Sequence, residues 1–256
     1  MTERSVAAES PLYNATIAAR TDMTDSLAIF TVDPDGDHRA FVPGQYITVG
    51  LAADGRLIQR PYSVASSARR LGEGYELYVR RIRDGALTPL LFAAPASQRI
   101  ALRGPKGRFT LQPGDDRIHL FVATGCGIAP FMSMLRTLLD DAAPRPTVLL
   151  HGVSHVSELT YRELLEKWAL SRSWSFSYIP TISRPSDPAN AGWRGRTGRV
   201  ETIVADVCGS LGLTPASCVA YICGNPEMTA NVETVLRGRG SAEQQIRTEE
   251  YWPLPR

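Results

Sequence analysis

The second half of the chain alternates continuous apolar runs with segments of helical periodicity, and this alternation restricts the fold more than any other feature. Four apolar runs are interpreted as strands, over residues 118–123, 148–153, 176–182 and 219–223. Four helices are predicted after them, over residues 130–139, 159–170, 200–207 and 226–236. Strands that are apolar throughout are buried on both faces, which predicts a doubly wound α/β domain around a parallel sheet.

The first half of the chain follows a different pattern, in which apolar and polar residues mostly alternate in short runs separated by turns. Six runs are interpreted as strands, over residues 14–21, 27–32, 46–51, 57–65, 75–82 and 99–103. Short strands at this spacing predict an antiparallel barrel or sandwich, with one short helix from Thr88 to before Pro95. The turn that begins at Pro113 separates the two patterns, so the predicted domains are residues 1–112 and 113–256.

Composition excludes several classes of protein. The 28 Lys and Arg residues nearly balance the 26 Asp and Glu residues, and the net charge of +2 argues against a strongly basic nucleic-acid binder. No apolar run is long enough to cross a bilayer, and the first ten residues contain no apolar signal core. We therefore expect a cytoplasmic protein with no membrane span and no nucleic-acid partner.

The four cysteines do not suggest a metal centre. Cys126, Cys208, Cys218 and Cys223 form no C-x-x-C pair, and no pair of histidines accompanies them at zinc spacing. The C-x4-C-x2-C run of a plant-type iron–sulfur cluster is also absent. We expect neither a metal nor a cluster, and four buried free thiols.

The first candidate motif is Arg60-Pro61-Tyr62-Ser63. Strand alternation puts Arg60 and Tyr62 on one face, and Pro61 belongs on an edge strand or at a bulge because it has no N–H to donate. An edge that presents a cation, an aromatic ring and a hydroxyl suits a ligand with a ring and a phosphate. By itself, the motif is more often a solvated arginine beside a core tyrosine.

The second candidate motif is a strand, Tyr78-Val79-Arg80-Arg81, that runs into a turn at Gly85. Thr88 suits the N-cap of the short helix, and the N–H groups at a helix start bind anions. Thr88 could therefore serve as a cap and as a phosphate ligand. An ordinary capped helix after a turn is the more frequent structure for such a sequence.

Two further motifs follow predicted strands of the second half. Residues 124–130 read T-G-C-G-I-A-P, and residues 223–228 read C-G-N-P-E-M. Glycines between a strand and a helix let a pyrophosphate approach the backbone, and Pro130 suits the first helical turn. Cys223 lies at the end of a strand, where it could contact a reacting ring, although a cysteine there is more often a small buried residue.

An arginine-rich loop follows the third predicted strand of the second half. It contains Arg184, Arg194, Arg196 and Arg199, with Ser183 beside the first of them. Guanidinium groups recognise phosphate well, although a solvated basic loop is the more frequent reason for such a sequence.

These motifs occur together in the order found in the ferredoxin–NADP⁺ reductase superfamily. The chain most closely resembles the bacterial ferredoxin/flavodoxin–NADP⁺ reductases, from about Tyr13 to Trp252. The motifs that carry the resemblance are R-x-Y-S, the later G-x-x-T turn, T-G-x-G-I-A-P and C-G-x-x-x-M. The resemblance implies an antiparallel β-barrel that binds FAD, followed by an α/β domain that binds NADP(H).

The resemblance also assigns roles around the flavin. Arg60 would contact the FAD pyrophosphate, Tyr62 would lie against the isoalloxazine, and Ser63 would place a hydroxyl near flavin N5. Cys223 would lie near nicotinamide C4, so Ser63 and Cys223 are the implied catalytic residues. The other residues implied to contact the flavin are Pro61, Tyr78, Val79, Arg80, Gly85, Ala86, Leu87, Thr88, Tyr251 and Trp252.

The resemblance further implies a pyridine-nucleotide site. The implied pyrophosphate and nicotinamide contacts are Thr124, Gly125, Gly127, Ile128, Ala129, Pro130 and Gly224. Ser183, Arg184 and Arg199 resemble a 2′-phosphate clamp, which favours NADP(H) over NAD(H). One departure weakens this preference: relatives commonly have arginine where this chain has Ser154. A second departure is the extension at residues 253–256, which could move Trp252, cover the nicotinamide site or pack on the barrel.

The implied activity is hydride transfer between NADP(H) and FAD, with single-electron exchange between FAD and a ferredoxin or flavodoxin. That partner would be acidic, and we expect the protein to be monomeric. A basic docking face could include Arg69, Arg70, Arg80, Arg81, Arg83, Lys106 and Arg108. The alternatives are an NAD(P)H-dependent flavin or ferric reductase, an oxygenase reductase component, and a flavin-binding regulatory subunit without turnover.

Overall fold

A computed structural model describes residues 12–171 and 173–251, which contain two six-stranded sheets. The first sheet is antiparallel, with strand order β4-β3-β6-β1-β2-β5, and an isolated bridge between Val64 and Leu77 closes it into a barrel. Its strands are β1 Ala15–Thr24, β2 Leu27–Pro34, β3 Tyr46–Ala53, β4 Arg56–Ser63, β5 Tyr75–Arg80 and β6 Arg99–Lys106. A short helix, α1 Thr88–Ala93, follows β5.

The second sheet is parallel throughout, with strand order β10-β9-β8-β7-β11-β12. Its strands are β7 Ile118–Thr124, β8 Thr147–Val153, β9 Phe176–Ile182, β10 Arg196–Thr197, β11 Cys218–Gly224 and β12 Ile246–Glu250. The helices of this half are α2 Ala129–Asp140, α3 Arg162–Ala169, α4 Val200–Ser210 and α5 Pro226–Gly238. Strands β8 and β11 are buried at every residue, as their apolar sequences predict.

Each half of the molecule has its own core. In the barrel, Phe30, Ile47 and Tyr75 belong to one buried cluster. Helices α2 and α3 pack on the sheet face nearer the barrel, where Phe109 and Tyr78 of the first half join their cluster. Helices α4 and α5 cover the opposite face. This layering predicts a ligand site at the carboxyl edge of the parallel sheet, where the loops after its strands meet.

The register aligns the carboxyl ends of the parallel strands. Thr124 of β7 pairs with Gly152 of β8, and Ala123 of β7 pairs with Cys223 of β11. The turns after these strands therefore lie at one edge of the sheet, and this edge faces the barrel strand that ends at Ser63, as the contacts described below show.

Ion pairs and aromatic contacts join the two halves along helices α2 and α3. Arg70 of the barrel pairs with Asp140 at 2.7 Å, and Glu76 accepts hydrogen bonds from Arg136 at 2.6 Å and from the Tyr161 hydroxyl at 2.9 Å. The Tyr161 ring also meets the Tyr78 ring edge-on, with centroids 5.3 Å apart. Because these groups are tied to the parallel domain, the position of the barrel beside the carboxyl edge is fixed.

The predicted fold class is confirmed: an antiparallel barrel precedes a doubly wound parallel sheet. The barrel strands end at Lys106 and the parallel strands begin at Ile118, with the predicted boundary at residues 112 and 113 between them. Two elements of the sheet were absent from the sequence prediction, namely β10 and β12. The predicted helix over residues 159–170 begins only at Arg162, because a 3₁₀ turn occupies Val156–Glu158.

Three of the arginines assigned to a docking face are engaged within the molecule. Arg69 pairs with Asp141 at 2.5 Å, Arg70 pairs with Asp140, and Arg80 pairs with Glu158 at 2.7 Å. Their part in a docking face remains a prediction. Within the described ranges, no helix combines the length and apolar character that a membrane span requires.

Candidate active site

The Arg60-Pro61-Tyr62-Ser63 motif lies on β4, at the end of the strand order of the barrel sheet, as the proline predicts. Arg60 pairs with Val49 and Tyr62 pairs with Ile47, and both of those partners belong to the barrel core. Arg60 and Tyr62 therefore share the inner face of the strand. The Tyr62 ring packs against the core, and burial raises the pKa of its hydroxyl.

Ser63 meets the last strand of the parallel sheet. Its Oγ donates a hydrogen bond to Glu249 Oε1 at 2.8 Å, across 186 residues of chain. Glu249 pairs with Cys223 in the β11–β12 ladder, and the Tyr251 N–H donates to the Gly224 carbonyl at 2.7 Å. The structure thus brings together the two residues predicted to be catalytic, Ser63 and Cys223, through a carboxylate that sequence reasoning had missed.

Burial controls the protonation of this cluster. It raises the pKa of the Glu249 carboxyl, which the Ser63 hydrogen bond partly opposes. It also raises the pKa of the Cys223 thiol and of the Tyr251 hydroxyl. The buried Tyr251 hydroxyl makes no hydrogen bond to another described residue, although Ser63 and Cys223 both influence its pKa. Partial burial of the cluster therefore disfavours its ionised forms, and the Tyr251 hydroxyl has hydrogen-bonding capacity left for a ligand.

The T-G-C-G-I-A-P motif forms the turn between β7 and α2. A 3₁₀ turn spans Gly125–Ile128, and α2 begins at Ala129 with Pro130 in its first turn. Gly125 has a φ of +50°, and a Cβ there would have only Arg80 Nη2 within 4 Å, at 3.9 Å. A Cβ on Gly127 would lie 2.2 Å from the Cys223 carbonyl oxygen, so glycine is required for the turn to pack on β11.

A buried histidine on β8 fixes the orientation of this turn through a hydrogen bond. His151 of β8 is fully buried, and its Nε2 lies 3.1 Å from the Gly125 carbonyl oxygen. Because a carbonyl only accepts, Nε2 carries the proton and donates it. Burial lowers the pKa of His151 to about 4, so the ring is neutral at physiological pH. The bond directs the Gly125 carbonyl toward β8, and since the C=O and N–H of a trans peptide point in opposite directions, the next N–H points away from His151.

Arg80 reaches the same turn from the barrel. Its Nη1 pairs with Glu158 Oε1 at 2.7 Å, while its Nη2 faces Gly125. The other Glu158 oxygen accepts the N–H groups of Ser154 at 2.9 Å and His155 at 3.3 Å. Burial alone would raise the pKa of Glu158, but these partners outweigh it and lower the pKa. Arg80 therefore carries positive charge to the glycine turn, whereas the family resemblance had assigned it to the flavin.

The remaining residues of the second motif are more buried than a ligand site requires. Tyr78 is 3% exposed, and its hydroxyl contacts Thr160 Oγ1 at 2.7 Å and the Glu158 carbonyl at 3.0 Å. Val79 and Leu87 are each 1% exposed, within the barrel core. The exposed part of this segment is the turn from Arg81 to Ala86.

The prediction that Thr88 caps the short helix is wrong. Leu87 occupies the N-cap position and Thr88 is the first helical residue. The Thr88 hydroxyl accepts the Ile82 N–H at 2.8 Å and contacts the Ile82 carbonyl at 3.2 Å. These bonds close the turn between β5 and α1, and a contact of Thr88 with the cofactor remains a prediction.

The three residues of the predicted 2′-phosphate clamp lie near one another. Residues 196–197 pair with β9, and the Gly198 N–H donates to the Ile182 carbonyl at 2.8 Å, which brings Arg199 beside Ser183 and Arg184. Arg199 is also 3.7 Å from the carboxylates of Glu201 and Glu227. Ser154 lies at the end of β8, next to this loop.

The residues at this edge fit a flavin and a pyridine nucleotide. Gly125 opens onto free space with a cation beside it, as a phosphate requires. Arg60 donates to the Gln59 carbonyl at 2.7 Å and makes no ion pair with another described residue, which leaves its charge for a diphosphate. The unpartnered Tyr251 hydroxyl and the Ser63–Glu249 pair supply polar groups for a ring.

Comparisons with known proteins agree with this geometry. Residues 14–111 match the family model "Oxidoreductase FAD-binding domain", and residues 121–234 match "Oxidoreductase NAD-binding domain". Over 223 residues the chain is 33% identical to ferredoxin–NADP reductase B of Sorangium cellulosum, covering 85% of this chain and 88% of that protein. The chain belongs to the ferredoxin–NADP⁺ reductase family. It therefore contains an FAD-binding domain and a pyridine-nucleotide-binding domain.

Two other relatives bear on the kind of reductase. The crystal structure of a ferredoxin NADP⁺ reductase from Neisseria gonorrhoeae, with bound FAD and NADP, matches with a TM-score of 0.81 at 27% identity. That match covers 95% of this chain and 100% of the other. The reductase component of phenol 2-monooxygenase from a Pseudomonas species is 29% identical over 231 residues, which are 89% of this chain and 62% of that protein.

Some of the predicted site residues remain predictions. Trp252 and the extension at residues 253–256 lie outside the described residues. The contacts of individual side chains with FAD and with the nucleotide, including those of Arg60, Tyr62 and Arg184, are expectations from the family. Glu249, Glu158 and His151 had no signal in the separate motifs, although a strand over residues 246–250 would have placed Glu249 and Tyr251 on one face.

Proposed function

We propose that the protein is an FAD-dependent reductase that exchanges electrons between NADP(H) and a ferredoxin or flavodoxin. The observation that carries the proposal is the cluster of Ser63, Glu249 and Cys223 at the meeting point of the two domains. This cluster lies where the FAD-binding strand β4 approaches the nucleotide-binding edge of the parallel sheet. It has a serine from the barrel and a carboxylate and a thiol from the sheet.

The residues of β4 and of the sheet edge would hold the cofactors. Arg60 and Tyr62 would bind FAD from the inner face of the strand, while the Gly125 turn and Arg80 would bind the nucleotide diphosphate. When bound, FAD accepts two electrons together from the nicotinamide and releases them singly, which a carrier with one-electron chemistry requires. The protein contributes binding, orientation and the exclusion of water.

The hydrogen bond between Ser63 and Glu249 would orient the serine hydroxyl at this site. Ser63 Oγ donates to Glu249, and burial raises the pKa of that carboxyl while the Ser63 hydrogen bond opposes the rise. A partly buried carboxyl with a raised pKa at the junction of two domains is a candidate functional group. We propose that Glu249 Oε1 accepts the Ser63 hydroxyl proton and so fixes the orientation of that hydroxyl beside the place of the flavin ring.

The preference for NADP(H) rests on Ser183, Arg184 and Arg199. The pairing of residues 196–197 with β9 supports a joint site, because it brings Arg199 next to the serine and arginine that end that strand. Ser154 provides a hydroxyl where relatives commonly have an arginine, so we expect a measurable but moderate preference for NADPH over NADH.

We propose an acidic carrier protein as the electron partner. Arg81, Arg83, Lys106 and Arg108 are exposed and take no part in the ion pairs found among the described residues. Opposite charges on the two proteins would increase the association rate and make it dependent on salt. Arg69, Arg70 and Arg80, also predicted for this face, form ion pairs within the molecule, so the other four residues are the first to test.

The proposal is tested by coupling NADPH oxidation to reduction of cytochrome c through an added ferredoxin. We expect the rate to depend on the ferredoxin, to saturate with it and to fall as salt is added. Assays without ferredoxin, and with free flavin in its place, provide the controls. Free flavin reduced as fast as the carrier, or a rate indifferent to the carrier, would contradict the proposal and favour a flavin reductase.

A second candidate function is supported by the match with a phenol 2-monooxygenase reductase component. In that case the reductase would supply an oxygenase, and NADH would serve at least as well as NADPH. The ratio of kcat/KM for the two nucleotides separates the candidates, because a preference for NADPH is expected only from the first.

A further inference from the structure

We propose that Asn190 is a positioning residue that sets the selectivity for NADPH over NADH. It lies in the loop after β9, and its side chain ties that loop to the turn after β8. These two segments carry Ser154, Ser183 and Arg184, so the inference rests on the proposed NADP(H) site. Asn190 would act on the 2′-phosphate through the loops that it holds together.

Asn190 is 3% exposed and uses both ends of its side-chain amide. Its Nδ2 donates to the Arg184 carbonyl at 2.8 Å and to the Ser154 carbonyl at 3.1 Å. Its Oδ1 accepts the N–H of Val156 at 2.8 Å. One side chain therefore joins three backbone groups from two segments, and both amide hydrogens are used.

The carbonyls that Asn190 holds belong to the residues whose side chains face the proposed 2′-phosphate. Ser154 follows β8 and Arg184 follows β9, and the ladder between the two strands ends just before them, where the Ser183 N–H donates to the Val153 carbonyl at 2.9 Å. A second contact joins the same two segments, since His155 Nε2 lies 3.2 Å from Asp187 Oδ2. This pair is more exposed than Asn190. Loss of the buried amide is therefore expected to change the spacing of Ser154 and Arg184 most.

The chemistry of the amide explains why asparagine is needed. Aspartate would turn both donors into acceptors that face two carbonyl oxygens, and alanine would leave those carbonyls and the Val156 N–H without partners. Buried backbone groups that lose their hydrogen bonds force the backbone to move toward water. Either change is expected to loosen the two turns while leaving β8 and β9 in place.

The effect should be specific for the 2′-phosphate. The Gly125 turn makes no hydrogen bond with Asn190, and Arg80 is linked to the Ser154 turn only through Glu158, so a smaller effect is expected on the diphosphate. NADH and ADP lack the 2′-phosphate and would not depend on the spacing of Ser154 and Arg184. A merely structural role would instead weaken the binding of both kinds of nucleotide together.

The inference is tested with the full-length protein by calorimetric titration of adenosine 2′,5′-bisphosphate and of ADP. For Asn190→Ala we expect the Kd of the bisphosphate to rise about tenfold and the Kd of ADP to change less than about twofold. In steady-state kinetics, KM for NADPH should rise with kcat unchanged, and KM for NADH should stay the same. Asn14→Ala is the matched control, because Asn14 bridges the N–H and carbonyl of Leu102 in the barrel.

A double-mutant cycle with Arg184→Ala keeps the inference falsifiable if one variant is poorly stable. If Asn190 acts through Arg184, the double variant should bind the bisphosphate no more weakly than Arg184→Ala alone. Additive losses, equal weakening of both ligands, or an unchanged bisphosphate Kd in Asn190→Ala would overturn the inference. A wild-type protein that binds both ligands equally would instead refute the proposed NADP(H) preference itself.

Discussion

Ser63 and Glu249 come from distant parts of the chain, and their hydrogen bond puts a partly buried carboxyl group beside the candidate flavin site. Carboxylates are seldom buried without a charged partner, because the loss of hydration disfavours the ionised form. Here the described partner is a neutral serine hydroxyl, and the pKa of Glu249 is raised accordingly. A carboxyl group with a raised pKa lowers the stability of the folded state at high pH. A residue that lowers stability in this way is typical of a functional site.

Replacement of Glu249 by glutamine is predicted to change the pH dependence of stability. A group whose folded pKa is raised contributes stability at low pH and loses it as the pH rises through the folded value. Glu249→Gln cannot ionise, so its melting temperature should exceed that of the wild type at about pH 8 by more than at about pH 5. Thermal melts followed by circular dichroism at both pH values check this, and an equal difference at both would contradict it.

Arg80 is predicted to bind the nucleotide diphosphate. Because NADP⁺ and NAD⁺ share that group, Arg80→Ala should weaken both by a similar factor, on the order of tenfold, with the FAD content unchanged. Titration of each nucleotide and the visible spectrum check both statements. Arg70→Ala is the control, since it also removes an ion pair between the two domains, at the far end of α2. Loss of FAD from Arg80→Ala would return this arginine to the flavin site.

At the scale of elements, strand β8 supports the glycine turn through His151. The ring is buried and neutral, with its pKa lowered to about 4, so the folded state resists protonation more than the unfolded state does. A group with a depressed pKa contributes stability above its unfolded pKa and loses it as the pH falls toward the folded value. The turn that faces the nucleotide should therefore lose its support in acid.

The wild type is predicted to lose up to roughly 3 kcal/mol of unfolding free energy from this histidine as the pH falls from 6.5 to about 4. His151→Gln keeps a donor for the Gly125 carbonyl and has no ionisation in that range, so its stability should fall less steeply. Urea denaturation at several pH values measures both slopes. Identical slopes would show that His151 is not the group that titrates. They would point instead to His119, whose pKa is also lowered by burial.

The central strands of the parallel sheet could be predicted from the sequence, whereas its edge strand β12 could not. The strands β7, β8, β9 and β11 are apolar runs, and burial on both faces requires that composition, so their positions were predictable. Strand β12, which reads Ile-Arg-Thr-Glu-Glu, has no such run because it lies at the edge of the sheet. Its position depends on pairing with β11, and Glu249 was overlooked with it.

Side-chain roles that depend on tertiary contacts were also beyond the sequence. Thr88 has the composition of a cap, but Ile82 takes both of its hydrogen bonds once β5 and α1 are folded. Asn190 is one polar residue within a Pro- and Gly-rich loop, and nothing local distinguishes it from a solvated one. The motifs that precede helices, such as residues 124–130, were predictable because strand, glycines and proline all lie within one short segment.

At the scale of the whole molecule, the contacts along α2 and α3 fix the barrel against the parallel sheet. Glu76 is the centre of this seam, since Arg136 and the Tyr161 hydroxyl both bind it. The Arg136 guanidinium also donates to the Ala65 carbonyl and lies over the Tyr161 ring, 5.4 Å from its centroid. A site whose residues come from both domains requires such a fixed orientation.

Removal of the Arg136 side chain is predicted to destabilise the folded molecule. Arg136→Ala leaves a half-buried carboxylate at Glu76 with one partner fewer, and the unfolding free energy should fall by about 2 kcal/mol. Urea denaturation gives the value. Arg69→Ala, which removes an exposed pair with Asp141, is the control and should have no measurable effect. Equal losses in both variants would argue against a special role for the Glu76 seam.

The measurement that tests the central claim most directly is the visible spectrum of the purified protein during anaerobic addition of NADPH. The account predicts a yellow protein with flavin bands, which NADPH bleaches and NADH bleaches more slowly. A colourless protein that does not take up added FAD would contradict the account, as would bound flavin that neither nucleotide reduces.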